Sequence, residues 1–213
     1  MLPTLPSNNK ADIRFDDYMK TVDIFFCGIS NASIKRMAHR VLSLRSWGNV
    51  PGVALHSISE THIGCSPHEF QRERRVFSDV ASDSAIYIVT DDDCVIPEGF
   101  DIQRCLDIFE RSGFSVLSLM PSNCNIVQWT PENYQTVNTD EIMEHESAGG
   151  IRFCRKGHLK VWPPMKSGFP GYDAIHGKAI RAEGGRIGYF RNHKQFHLGE
   201  GNSTIWNKEA VVR

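Results

Sequence analysis

Apolar and polar positions along the first 120 residues alternate between strand and helix patterns. The run Val22-Asp23-Ile24-Phe25-Phe26-Cys27-Gly28-Ile29 predicts a first strand, closed by Gly28 and Ser30. Asn31 or Ser33 stands where it can cap a helix. The apolar positions of that helix, Ile34, Met37, Ala38, Val41, Leu42 and Leu44, recur at helical spacing and predict a core-facing stripe. Pro51-Gly52 turns the chain into a short strand over 53–57. Pro67 opens a second helix, with Phe70, Val76, Phe77 and Val80 for the core and Arg72, Arg74 and Arg75 on its flanks. The run Ala85-Ile86-Tyr87-Ile88-Val89-Thr90 then predicts a strand buried on both faces. Ile96-Pro97-Glu98-Gly99 turns into a helix over 100–111, and another strand follows over 115–120.

The texture changes after Cys124. Asn, Gln, Thr and Glu are frequent over 125–146, which predicts longer loops and a segment suited to closing over a bound donor. A strand is expected over 148–154. Gly168-Phe169-Pro170-Gly171-Tyr172-Asp173 leads into a short helix, and 184–190 returns as a strand. The alternation predicts an α/β fold with a mainly parallel sheet and helices on both faces. No linker is visible, so one domain is expected over 1–213. It has a lead-in over 1–20, a nucleotide-type half over 21–122 and an acceptor-type half over 123–213.

Composition adds exclusions. A net charge of −1 without blocks of like charge gives no footprint for nucleic acid. No run of 18 apolar residues predicts a membrane span, and the first ten residues lack a signal-peptide core. The six cysteines are scattered without a CxxC pair, which predicts reduced thiols and a soluble, cytoplasmic protein.

The chemistry centres on Asp91, Asp92 and Asp93, three carboxylates directly after an apolar strand. Adjacent carboxylates repel one another unless positive charge lies among them, and an oxygen-rich cluster suits Mg²⁺ or Mn²⁺. In open α/β sheets ligands bind at the carboxyl ends of strands, which is where these acids fall. On a continuing strand Asp91 and Asp93 would share a face about 6.6 Å apart, with Asp92 pointing away unless the chain turns. Asp173, at a predicted helix start, reads either as a cap or as a general base on an acceptor hydroxyl. His193 and His197 have the spacing of a helical zinc pair, but the surrounding residues fit a strand and loop better. That leaves His197 as either an extra cation ligand or an ordinary polar residue. Arg72 or Arg75 suits a diphosphate or a base carbonyl, or else a solvated helix face. Trp129, Trp162 and Trp206 suit either a sugar face or packing.

These features resemble the GT-A glycosyltransferases. The first strand ends Phe26-Cys27-Gly28-Ile29-Ser30. A buried strand runs into an Asp-x-Asp motif at Asp91-Asp92-Asp93, Asp173 stands at a helix start, and His197 precedes Leu198-Gly199. The resemblance, over about 22–201, implies a Rossmann-like GT-A domain with a mixed, mainly parallel sheet. It implies Asp91, Asp93 and His197 as ligands of Mn²⁺ or Mg²⁺. Gly28, Ser30, Ser57, Arg72, Arg75, Asp91, Asp92 and Asp93 fall to the donor nucleotide, and Asp173 to the catalytic base. The implied reaction moves a hexose or deoxyhexose from a UDP-sugar to a hydroxyl of a glycan or glycoprotein, with inversion. The implied setting is glycoprotein glycan synthesis, including that of a viral capsid in host cytoplasm, with further domains in a longer polypeptide. Where this family usually has an acid after its second strand, His56-Ser57-Ile58-Ser59-Glu60 stands here, so recognition of uracil is left open. Two rivals are a haloacid-dehalogenase-type phosphohydrolase, whose Asp-x-Asp motif usually lies on the first strand, and a non-catalytic sugar-binding module.

Overall fold

A computed structural model of the chain describes residues 22–29, 34–60, 80, 85–122, 141–158 and 172–198. Its strands are β1 (Val22–Ile29), β2 (Val53–Glu60), β3 (Ile86–Asp91), β4 (Cys94–Val95), β5 (Val116–Pro121), β6 (Ile142–Glu144), β7 (Arg152–Arg155) and β8 (Ile187–His197). Among the described residues the helices are α1 (Ile34–Trp47), α2 (Ile102–Ser112) and α3 (Tyr172–Ala182), with a 3₁₀ turn at Lys156–His158. The helix expected from Pro67, with Arg72 and Arg75, lies outside the described residues. So do Ser30, Trp129, Trp162, Trp206 and most of 125–146.

The strands form one mixed sheet in the order β2-β1-β3-β7-β5-β8-β4, with β6 also on β8. The long registers are parallel: eight pairs between β1 and β2, five between β1 and β3, and six between β5 and β8. The antiparallel ladders have two to four pairs each. Strands from both halves of the sequence interleave, since β7 lies between β3 and β5.

Period-two alternation sorts the core into two layers. Ile24, Phe26, Ile88, Leu117, Phe153 and Phe190 pack on one face with Trp47 of α1 and with Ile102, Leu106 and Phe109 of α2. Phe25, Tyr87, Val89, Val116 and Tyr189 pack on the other with Val80 and with Ile180 of α3. Asp101 caps α2 by accepting from the Arg104 amide at 2.9 Å, and Gly113 ends it at φ +69°.

Three strand boundaries and the orientation of one helix differ from the sequence expectation. β2 runs on to Glu60 because it is hydrogen-bonded along the whole of β1. The 148–154 strand starts only at Arg152, because the Gly149-Gly150 pair bends the chain, with Gly150 at φ +75°. β8 continues to His197, because β5 and then β4 offer partners past residue 190. The largest difference is α1: Ile34, Met37, Val41 and Leu42 face outward instead of into the core. The helix docks through Trp47, through the Ser43 hydroxyl, which donates to the Cys94 carbonyl, and through Ser46 Oγ, which accepts from the Ile96 amide at 3.3 Å.

Candidate metal and donor site

The parallel registers align the carboxyl ends of β1, β2 and β3. Cys27 lies level with Asp91, and Gly28 of β1 is level with Ser59 of β2, two residues past Ser57. Gly28 therefore borders the end of the strand that carries the acids, at the level of the backbone, whereas Ser57 is one strand further out on β2. The strand stops at Asp91 and the chain turns at Asp92-Asp93. Because of the turn, Asp91 and Asp93 do not alternate along a strand, and their carboxylates come together. Asp92, only 1% exposed, is outside the group they form.

A short pairing completes the group. β4 leaves the turn and pairs antiparallel with the end of β8, setting Cys94 opposite His197. The Leu198 amide donates to the Asp93 carbonyl at 2.7 Å and pins the end of β8 to the turn. His197 Nε2 then lies 3.4 Å from Asp93 Oδ1. One ligand atom from each of Asp91, Asp93, Cys94 and His197 lies within 4.8 Å of the other three. Two carboxylates, an imidazole and a thiol so close together form a donor set that fits a divalent cation, with the carboxylates and imidazole suited to Mn²⁺.

Asp173 is in the first turn of α3, half-exposed, where the helix dipole favours an ionised carboxylate. A buried side chain connects it to the acidic turn. Arg152, 3% exposed, puts Nη2 3.9 Å from Asp91 Oδ1 and Nη1 3.9 Å from Asp173 Oδ1. The two carboxylates therefore lie within about 10 Å, the reach of two ion contacts and one planar guanidinium. His176, three residues after Asp173, is buried close to the same guanidinium. Burial first, and the Arg152 charge second, push its pKa down to about 3, so the imidazole stays neutral.

The bend before Arg152 is held by Gln195 of β8. Its Nε2 donates to the carbonyls of Leu119 at 2.7 Å and Gly149 at 3.1 Å, and its Oε1 accepts from the Ile151 amide at 2.8 Å. A Cβ at Gly149 would strike the Asp173 carboxylate, and one at Gly150 would strike the Gln195 amide. The two glycines let the bend pass between α3 and β8.

The structure thus brings Asp91, Asp93 and His197 together and sets Asp173 beside them. His193 lies apart from this group, edge-on to Phe190 and Phe100 with centroids 5.8 and 6.4 Å away, and burial lowers its pKa. Arg152, Cys94, Gln195 and His176 were not found from sequence. Arg152 had a signal: a charged residue inside an otherwise apolar strand must be paired. Cys94 and Gln195 had none, because their roles come from pairings between distant segments.

No protein-family model matches the chain, and no curated protein matches it in sequence. Among solved structures it is similar to GalNAc-T7 with UDP, GalNAc and Mn²⁺, at 11% identity and a TM-score of 0.49, over 85% of this chain and 45% of that one. It is also similar to a mutant of the Drosophila β1,4-galactosyltransferase 7 in complex with manganese, UDP-Gal and xylobiose. There the identity is 12% and the TM-score 0.46, over 91% of this chain and 80% of that one. The chain spans less than half the length of the GalNAc-T7 chain. These likenesses concern the course of the backbone, a mixed α/β sheet with flanking helices, and leave the chemistry to the residues described above.

Proposed function

We propose that the chain is a metal-dependent glycosyltransferase of the GT-A type. It moves a hexose or deoxyhexose from a UDP-sugar to a hydroxyl of a glycan or glycoprotein. The observation that carries this reading is the cluster of Asp91, Asp93, Cys94 and His197 at the carboxyl end of β3, with Asp173 tied to it through Arg152. Such a site joins a place for a cation and a diphosphate to a separate, half-exposed carboxylate.

Asp91, Asp93 and His197 would hold Mn²⁺ or Mg²⁺. When bound, the cation would supply Lewis-acid stabilisation of a departing diphosphate. Asp173 accepts the proton of the acceptor hydroxyl as that oxygen attacks the anomeric carbon and the bond to UDP breaks. One base and a single displacement invert the configuration. Arg152 keeps Asp173 ionised between turnovers and aims its carboxylate. Gly28, Ser30, Ser57, Asp92, Arg72 and Arg75 are assigned to the nucleotide as part of this proposal. So is a cytoplasmic setting in glycoprotein glycan synthesis; neither similar structure bears on a viral one.

Calorimetry of UDP with Mn²⁺ and with EDTA, on the wild type and on Asp93→Ala, tests the donor site. Binding should need both the cation and Asp93. Binding that ignores both would remove the cluster from donor recognition. No UDP binding together with phosphate release from simple esters would favour the phosphohydrolase, and sugar affinity alone would favour the binding module. With UDP-sugars, Asp173→Asn should abolish transfer and leave UDP binding nearly unchanged.

A further inference from the structure

α1 is docked with its apolar side outward. Ile34 is 88% exposed, Met37 56%, and Val41 and Leu42 49% each, although they recur at the spacing of one helix face. The side turned to the sheet carries Trp47 and the serine contacts to β4. Leu55 of β2, 41% exposed and in register with Ile24, is a further exposed apolar residue on the same layer of the sheet. Val80, which precedes β3, packs in the opposite layer. An outward apolar helix face of this kind marks a surface that meets another phase or partner.

Charge indicates which one. The fourteen residues of α1 include Lys35, Arg36, Arg40 and Arg45 and no Asp or Glu, in a chain whose net charge is −1. The remainder of the chain is therefore net acidic, and the positive charge is concentrated on the helix that exposes its apolar side. Arg45 is itself exposed, one turn from Val41 and Leu42. A second copy would set one basic helix against another. An anionic bilayer complements both features, taking apolar side chains among its acyl chains and lysine or arginine among its headgroups. No helix of the described residues is long and apolar enough to cross a membrane, so contact would be along the surface.

We infer that α1 is a membrane-surface helix, binding anionic lipid through Ile34, Met37, Val41, Leu42 and Arg45. α1 follows β1 directly, so Ile34 lies at the end of the sheet where Asp91 and Asp93 sit. A bound surface would lie beside the mouth of the candidate site. The inference stands on α1 alone and does not require the glycosyltransferase reading.

Co-sedimentation of the full chain with phosphatidylcholine vesicles, with and without phosphatidylserine, tests it. Binding should require phosphatidylserine and weaken with salt. The pair Met37→Ser and Val41→Ser should lower affinity about tenfold or more, and Arg45→Glu should act in the same direction. The melting temperature should hardly move, because these side chains are exposed. Absence of binding to phosphatidylserine vesicles would overturn the inference, as would binding that survives both sets of substitutions. A dimer in sedimentation velocity that the serine pair dissociates would give the patch to a second copy and equally overturn it.

Discussion

A buried arginine with a carboxylate on either side offsets the repulsion that would otherwise keep them apart. Arg152 does this for Asp91 and Asp173. Replacing it with Met should leave the two acids to repel each other, lower the melting temperature and cut transfer by about a hundredfold through misplacement of Asp173. Thermal melts and steady-state kinetics on the same sample check both. Gly149→Ala should act more narrowly. The new methyl displaces the Asp173 carboxylate, so turnover should fall while calorimetric affinity for UDP with Mn²⁺ stays near wild type. At this scale the acids were legible in sequence, because three carboxylates after an apolar strand need an explanation. The role of Arg152 was not, because it depends on β7 lying beside β3, a neighbour relation that spacing along the chain does not encode.

Among the elements, β8 organises the site. Its Gln195 holds the bend before β7, and its last residue meets the acidic turn. Gln195→Leu would strip the Ile151 amide of its acceptor, while the Gly149 carbonyl keeps the Ser118 hydroxyl, and should cost about 1–3 kcal/mol in denaturant melts. α3 contributes a pH dependence through His176, whose pKa drops from an ordinary 6.5 to about 3 on folding. Above the unfolded value both states are neutral and the residue is silent. Below it the unfolded chain binds a proton that the folded chain refuses, so stability should fall as pH falls from 6.5 towards 3. The loss is up to about 1.4 kcal/mol per pH unit. Melts across that window should show a shallower decline for His176→Gln. Helical spacing correctly placed α1 but not the side its stripe faces, because spacing does not say which side of a helix meets the sheet. Here serine contacts and Trp47 decided it. The two-residue β4 left no pattern to read, which is why His197 stayed ambiguous in sequence and only the fold sets it beside Asp93.

For the whole molecule, under the proposed function a cation and donor would bind the folded state and not the unfolded chain, and so should stabilise it by mass action. At a hundredfold excess over Kd the gain is about 2.7 kcal/mol, or about 5–10 °C for a domain of this size. UDP with Mn²⁺ should therefore raise the melting temperature by that amount, and EDTA or Asp93→Ala should remove the shift. The mixed α/β architecture was legible because alternating strand and helix patterns are a property of the whole sequence. The interleaving of β7 between β3 and β5 was not, since four of the sheet's ladders have two to four pairs. The short pairing of β4 with β8 has one more consequence, and it concerns time. Asp93 and His197 are roughly a hundred residues apart in sequence, and so long a loop closes late. A nascent chain that has emerged only through α3 holds the acids and lacks the imidazole. Tight Mn²⁺ binding should therefore appear only after β8 has been made and has paired with β4, making cation affinity a clock for that pairing.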